Sequence, residues 1–198
     1  LLMQLNPSDY PELSPALETL QAWDGNAQAK SPQAALFLLT ATRVLGSAAE
    51  QAEAWLEGPA IQDTTLLLTA LEQAQTELIN GWDSLTPPLG AVQQLMRGEV
   101  RTGFSGLPGQ PGPAVSVPPE GQPGPWRVTA GDAWVMTVRY GADTTLMRAV
   151  HPFGQKADPS SPHATDQMSL YSNRKTRPVL LQPEAVRREA VQSYRPGE

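Results

Sequence analysis

The stretch Trp134-Val135-Met136-Thr137-Val138-Arg139-Tyr140-Gly141-Ala142-Asp143-Thr144-Thr145-Leu146-Met147-Arg148-Ala149-Val150 decides the fold class. Trp134, Met136, Val138 and Tyr140 alternate with Val135, Thr137 and Arg139, which is the two-residue period of a strand. Gly141-Ala142-Asp143 carries a turn signal, and residues 144–150 read as the returning strand, so the segment predicts an antiparallel hairpin. An irregular polar segment follows, from His151 to Gln167. Beyond it the pattern predicts a short strand over residues 168–171 and a helix or extended arm over residues 183–191.

Upstream of the hairpin the composition changes twice. Residues 98–125 alternate glycines (103, 106, 109, 112, 121, 124) with prolines (108, 111, 113, 118, 119, 123, 125). Proline removes a donor and glycine weakens a strand interior, so this stretch cannot be a helix or a central strand. It lacks the strict three-residue glycine period of collagen. The expectation is a long surface loop or linker, with a proline-rich ligand for a partner domain as the alternative.

Residues 1–97 read as helical. Leu17 and Leu20 lie at helical spacing, and the helix over 15–22 gives way to the turn Trp23-Asp24-Gly25-Asn26. Ser31-Pro32 opens a strongly apolar, buried helix up to Leu45. A short helix is expected over residues 48–56, ended by Gly58-Pro59. Asp63 caps a longer helix over residues 64–79, with Leu67, Leu68, Leu71, Ala74 and Leu78 on one face and Asn80-Gly81 as its stop. A last amphipathic stretch covers residues 89–96. The chain is thus expected to be α+β, with a helical region over 1–97, a Pro/Gly-rich loop over 98–125, and antiparallel strands with a C-terminal arm over 126–198.

Composition excludes several functions. The chain has 198 residues and a formal net charge of −6. A nucleic-acid or anionic-membrane surface requires clustered Lys and Arg, so neither is expected as a partner. There is no cysteine, which removes disulfides, thiolate nucleophiles and Cys-ligated metals. The start Leu1-Leu2-Met3-Gln4-Leu5 lacks the basic and long apolar regions of a signal peptide. Because it does not open with Met, the chain is expected to begin inside a longer protein, by processing or by design.

Few residues are candidates for chemistry. The two histidines are His151 and His163. His163 with Asp158 and Asp166 is the one candidate metal set, and its spacing matches no metal motif. The better reading is that these side chains tie an irregular loop by bonding its backbone. Ser160, Ser161, His163 and Asp166 resemble a local serine triad, but Ser161 precedes Pro162 and sits in no nucleophile elbow. Trp23, Trp55, Trp82, Trp126 and Trp134 are read as packing residues rather than a carbohydrate platform. No cofactor or metal is expected, and composition alone stops at a mixed α and β lobe.

Several segments, in order, extend the reading. Gly154-Gln155-Lys156-Ala157-Asp158-Pro159-Ser160-Ser161-Pro162-His163-Ala164-Thr165-Asp166-Gln167 resembles the Gln-Ser-x-Asp-Pro-x-Ser-Pro-His-Tyr-x-Asp-Gln segment near the C-terminus of penicillin acylases. Within that family the acyl-homoserine-lactone and lipopeptide (aculeacin-type) acylases are the most similar branch. Gly131-Asp132-Ala133-Trp134 resembles the start of a family strand. Leu20 to Gly25, followed by Ser31 and Ala34-Ala35-Leu36-Phe37, resembles a helix pair of the family, as residues 71–98 resemble the helix before its Arg-Gly turn. Lys156 stands where the family usually has Ser, and Ala164 where it usually has Tyr.

The resemblance implies an N-terminal nucleophile hydrolase with an αββα sandwich. In that family a precursor cleaves itself, and the new N-terminal serine of the large subunit attacks the substrate amide. Its own α-amino group serves as base; an unperturbed one titrates near pKa ~7.7–8.0. The matched segments all lie in the C-terminal third, past the serine, the oxyanion hole and the usual calcium ligands, and residue 1 here is Leu. The implied chain is therefore a non-catalytic C-terminal part of the large subunit. Its partners would be the small subunit, the N-terminal part of the large subunit and an acylated small-molecule substrate such as a penicillin, an acyl-homoserine lactone or a lipopeptide. Asp158, Ser161, His163, Asp166 and Gln167 would fix a buried loop by hydrogen bonds. The family also implies a periplasmic or secreted location. The alternative is a stand-alone mixed α/β binding or scaffold module.

Overall fold

The structure is a computed structural model and describes residues 2–46, 63–107, 114–142, 144–191 and 193. The expected helix over 48–56, its stop at Gly58-Pro59, Trp55, five of the Gly/Pro positions between 108 and 113, and turn residue Asp143 lie outside the described residues. The chain is α+β and divides into two compact units, Leu1–Asp132 and Ala133–Glu198. This division falls neither at 97/98 nor at 125/126. Residues on both sides of the Pro/Gly-rich stretch pair in one sheet, so that stretch is a crossing inside the first unit.

The first unit opens with three 3-10 turns, Leu2–Gln4, Pro7–Asp9 and Pro11–Leu13, which lead into α1 (Ser14–Gln21). In α2 (Gln33–Leu45), Ala34, Ala35, Leu36, Leu38 and Leu39 are all buried, as its nearly continuous apolar run predicts. The Ser31 hydroxyl accepts the Ala34 N–H at 3.4 Å just before this helix. α3 (Thr64–Trp82) is capped by the Asp63 carboxylate, which accepts the Leu66 N–H at 3.0 Å. Ala70, Leu71, Ala74 and Leu78 of α3 are buried, the last three in one core cluster with α1 and α2. The expected stop at Asn80-Gly81 is corrected. The helix runs on to Trp82 and ends at Asp83, which takes the left-handed conformation at φ 51°. The last turn is held because the Trp82 indole packs against the core and donates to the Ala91 carbonyl at 3.2 Å.

Residues 89–96 do not form one helical stretch. A single turn, α4 (Leu89–Val92), passes directly into strand β1 (Gln93–Arg97). β2 (Val100–Gly103), β3 (Ala114–Val117) and β4 (Trp126–Gly131) complete a four-stranded sheet of order β2-β1-β4-β3. β1–β2 and β3–β4 are antiparallel, with a bulge at Val115/Ser116, while β1–β4 is parallel. The segment expected to be all loop thus contains β2 and β3. Both are edge strands, where neighbouring Gly and Pro cost least. Buried Gln93 anchors the sheet: its amide donates to the Gly106 carbonyl at 2.9 Å and its oxygen accepts the Ser116 hydroxyl at 2.8 Å. An extended backbone at Gln93 is what places that side chain between the two loop ends. Helix and sheet are joined by Glu77, which pairs with Arg43 and accepts the buried Trp126 indole N–H at 3.2 Å.

The second unit is built on the predicted hairpin. β5 (Val135–Tyr140) and β6 (Thr145–Val150) pair in register from Val135↔Val150 to Tyr140↔Thr145, and the Gly141 N–H donates to the Thr144 carbonyl at 2.9 Å. A third strand, β7 (Arg177–Val179), adds to β6 and gives the order β5-β6-β7. The strand expected over 168–171 is instead helix α5 (Met168–Ser172). Met168, Tyr171 and Ser172 are its buried residues, an i, i+3, i+4 set that one helical turn can bury and a strand cannot. α6 (Pro183–Glu189) follows with no buried residue. Met136, Val138 and Tyr140 on β5, and Trp134 directly before it, remain 46%, 37%, 82% and 41% exposed.

Candidate functional site

The segment between β6 and α5 is the one place where the sequence concentrates Asp, Ser and His. Its fold follows from hydrogen bonds of polar side chains to nearby backbone. The Asp158 carboxylate accepts both the backbone N–H of Ser160, at 2.9 Å, and its hydroxyl, at 2.8 Å. The Ser161 N–H donates to the Asp158 carbonyl at 3.1 Å, and the Ser161 hydroxyl accepts the His163 N–H at 3.2 Å. The His163 ring meets Asp166 through Nδ1 and Oδ2 at 2.9 Å. Two longer links close the segment on itself: the Lys156 N–H donates to the His163 carbonyl at 3.2 Å, and the Gln167 N–H to the Phe153 carbonyl at 2.9 Å. The buried Gln167 side chain then accepts the His151 N–H at 3.1 Å, tying the end of β6 to the start of α5.

All five sequence-selected residues, Asp158, Ser161, His163, Asp166 and Gln167, therefore take part in one hydrogen-bonded loop. The loop differs from a buried one. Within this chain Ala164, Gln167 and Met168 are buried, whereas Asp158, His163 and Asp166 face solvent. The Asp158 carboxyl is held below its ordinary value, first by the Ser160 backbone N–H, then by the Ser160 hydroxyl, with Lys156 adding to both against a small desolvation. The His163–Asp166 pair is exposed, with 62% and 38% of the side chains open to solvent, so it contributes little to stability.

Ser161, His163 and Asp166 are not arranged as a catalytic triad. A triad needs the hydroxyl on the base and the base on its orienting acid. Here the His163 ring addresses Asp166, and the Ser161 hydroxyl addresses the His163 backbone instead. Among the described residues no group of three or more His, Cys, Asp or Glu is placed to hold a metal ion. Nor does any helix among them have the length and apolarity to cross a membrane. The tryptophans divide: Trp126 is buried, Trp23 and Trp82 pack on the core, and Trp134 is exposed with its ring 4.5 Å from that of His151 in an edge contact. The His151 ring also meets the Ala133 carbonyl through Nδ1 at 3.2 Å.

Two participants escaped the sequence reading. Gly154 has no space for a side chain, because an added Cβ would collide with the His163 carbonyl and lie 2.7 Å from Asp166 Oδ1. His151 joins β6 to the loop through its backbone rather than its ring, for which sequence gives no signal.

A model of the penicillin amidase family matches residues 1–188, nearly the whole chain. The chain belongs to the penicillin amidase family. Among solved structures, a thermostable penicillin G acylase from Alcaligenes faecalis is similar at 20% identity with a TM-score of 0.43, covering 98% of this chain. The chain spans 44% of the length of that acylase. No curated protein matches it. Family membership accounts for the ordered series of modest motifs along the chain, which no single loop or helix would explain.

Proposed function

We propose that this chain is a non-catalytic segment from the C-terminal part of the large subunit of a penicillin-acylase-type enzyme. The whole enzyme cleaves the amide bond of an acylated substrate, and the attacking serine with its α-amino base comes from another part of the same precursor. The partners are the small subunit and the N-terminal part of the large subunit. The supporting observation is the row Met136, Val138 and Tyr140 on β5, an edge strand of the three-stranded sheet, with Trp134 directly before it. An apolar row on an open sheet edge is a surface made to be covered. The substrate is an acylated small molecule such as a penicillin, an acyl-homoserine lactone or a lipopeptide, and a periplasmic or secreted location goes with that family.

The test is made on the native protein. Mass spectrometry of the material from periplasm or medium should find a companion polypeptide that begins with Ser. Replacing that Ser by Ala should abolish hydrolysis of an acyl-homoserine lactone or a lipopeptide, while Ser161→Ala in this chain leaves kcat unchanged. Loss of hydrolysis on Ser161→Ala, or a native protein with no Ser-initiated companion, rejects the reading.

The division into two compact units at 132/133 favours a second reading, a stand-alone binding or scaffold module. Limited proteolysis near that boundary separates the two. Independent modules part after the cut, and an interlocked acylase stays whole.

A further inference from the structure

The β3–β4 connection, residues 118–125, forms a proline-rich ridge with a groove on each side. One groove, of about 610 Å³, lies against α3 and is lined by Glu72, Thr76, Glu77 and Asn80. The other, of about 540 Å³, lies over the outer face of the four-stranded sheet. Gln93, Leu95, Ser116 and Trp126 are buried and face the core. The two-residue period of a strand then turns Met96, Arg101, Val117, Arg127 and Thr129 to the opposite face, and all five line this second groove. Register agrees: Met96 pairs with Arg101, and Val117 with Arg127.

The two arginines set the chemistry. Arg101 donates to the Met96 sulfur at 3.6 Å, and neither Arg101 nor Arg127 has a carboxylate partner among the described residues. Among the described arginines Arg43, Arg187 and Arg188 pair with carboxylates, and Arg148 bonds Thr176. Here two cations share a groove whose apolar walls include Met96, Val117 and the rings of Pro119, Pro123 and Pro125, with Glu120, Gln122 and Thr129 as its other polar side chains. Proline rings are rigid, so the walls lose little freedom when covered. Glu120 on the rim penalises a doubly charged anion more than a singly charged one.

We infer that the groove over the outer sheet face binds an amphiphilic monocarboxylate, with the carboxylate held by Arg101 and Arg127 and the hydrocarbon chain laid along Met96, Val117 and the prolines. Guanidinium groups grip a carboxylate through paired N–H donors, which suits the head group. The site needs no catalytic group and stands independently of the acylase reading.

Calorimetric titration of octanoate into the whole protein that carries this chain tests it, with hexanoate, octanol and inorganic phosphate as comparison ligands. Octanoate should bind more tightly than hexanoate, by at least about twofold, because each buried methylene adds affinity. Octanol and phosphate should each bind at least about fivefold more weakly than octanoate. R101Q and R127Q should each weaken octanoate about fivefold or more, an effect that added salt reproduces in the parent. Both side chains are exposed, so folding is preserved, and circular dichroism checks that. Absence of octanoate binding, octanol or phosphate binding as tightly as octanoate, or an unchanged affinity in the double variant R101Q/R127Q overturns the proposal. A protein without acylase activity that still binds octanoate through both arginines keeps this site and loses only the other reading.

Discussion

Gly154 shows how a single position governs the loop. An added methyl group would collide with the His163 carbonyl, the same oxygen that accepts the Lys156 N–H, and press on Asp166. Relief requires opening the loop, so Gly154→Ala should destabilise the second unit by about 1–3 kcal/mol, the usual cost of overpacking. Urea unfolding followed by Trp134 fluorescence measures it, and an unchanged midpoint would contradict the packing. Asp158 carries a different prediction. Its folded pKa lies below the unfolded value near 3.8, mainly through the Ser160 N–H and hydroxyl. The stabilising contribution is therefore complete above that unfolded value and is lost as pH falls through the lower folded one. Removing the hydroxyl with Ser160→Ala should move the Asp158 titration upward in a carboxyl-detected NMR series while leaving the backbone contribution in place. At this scale the sequence was informative about residue types. Asp158 and Ser161 bond nearby backbone N–H groups, whereas the His163 ring meets the Asp166 side chain. What the sequence did not tell was which carbonyl would occupy the space above Gly154, because that depends on a reversal of the chain nine residues long.

Elements were legible wherever one local pattern sufficed. Asp63 before a long apolar stripe marks the start of α3, and the structure places its carboxylate 3.0 Å from the Leu66 N–H. Asp63→Ala should accordingly cost about 1 kcal/mol of stability, read from thermal unfolding, with Asp63→Asn retaining most of it. The β5–β6 hairpin was equally readable from strict alternation and a glycine turn. The failures have physical causes. β1 begins with two glutamines directly after a helical turn, and its strand state is fixed by non-local pairing with β2 and β4. β7 is three residues long and contains Pro178, tolerated because it lies at a sheet edge. α5 was misread because Met168 to Tyr171 is too short for period two and period 3.6 to be told apart. Gly90 and Gly103 supply one more non-local constraint: a Cβ on Gly103 would lie 2.7 Å from the Gly90 carbonyl, so α4 and β2 approach as only glycines allow.

At the scale of the whole molecule, the question is what covers the second unit's sheet. Opposed residues share a face, so Met136 with Ala149 and Val138 with Met147 place an apolar patch on one side. Ala149 is buried, yet Met136 and Val138 on the edge strand remain 46% and 37% exposed and Tyr140 82%. A soluble hairpin that ended its sheet here would be expected to carry charges at such positions, because an open apolar edge invites pairing with other chains. If the missing cover is the rest of an acylase precursor, charging this row should separate assembly from folding. In Met136→Asp/Val138→Asp the two carboxylates sit on positions already open to solvent, so the chain's own circular dichroism should stay within about 10% of the parent, since exposed substitutions cost little. Association with the remaining subunits is different: two carboxylates would be desolvated without partners, at several kcal/mol each, and co-purification should be lost by about a hundredfold or more. Val138→Ile, which preserves the apolar row, should assemble normally. A charged double variant that still assembles with full activity would mean that this face stays open in the working enzyme. The partner surface would then have to be sought on another part of the chain.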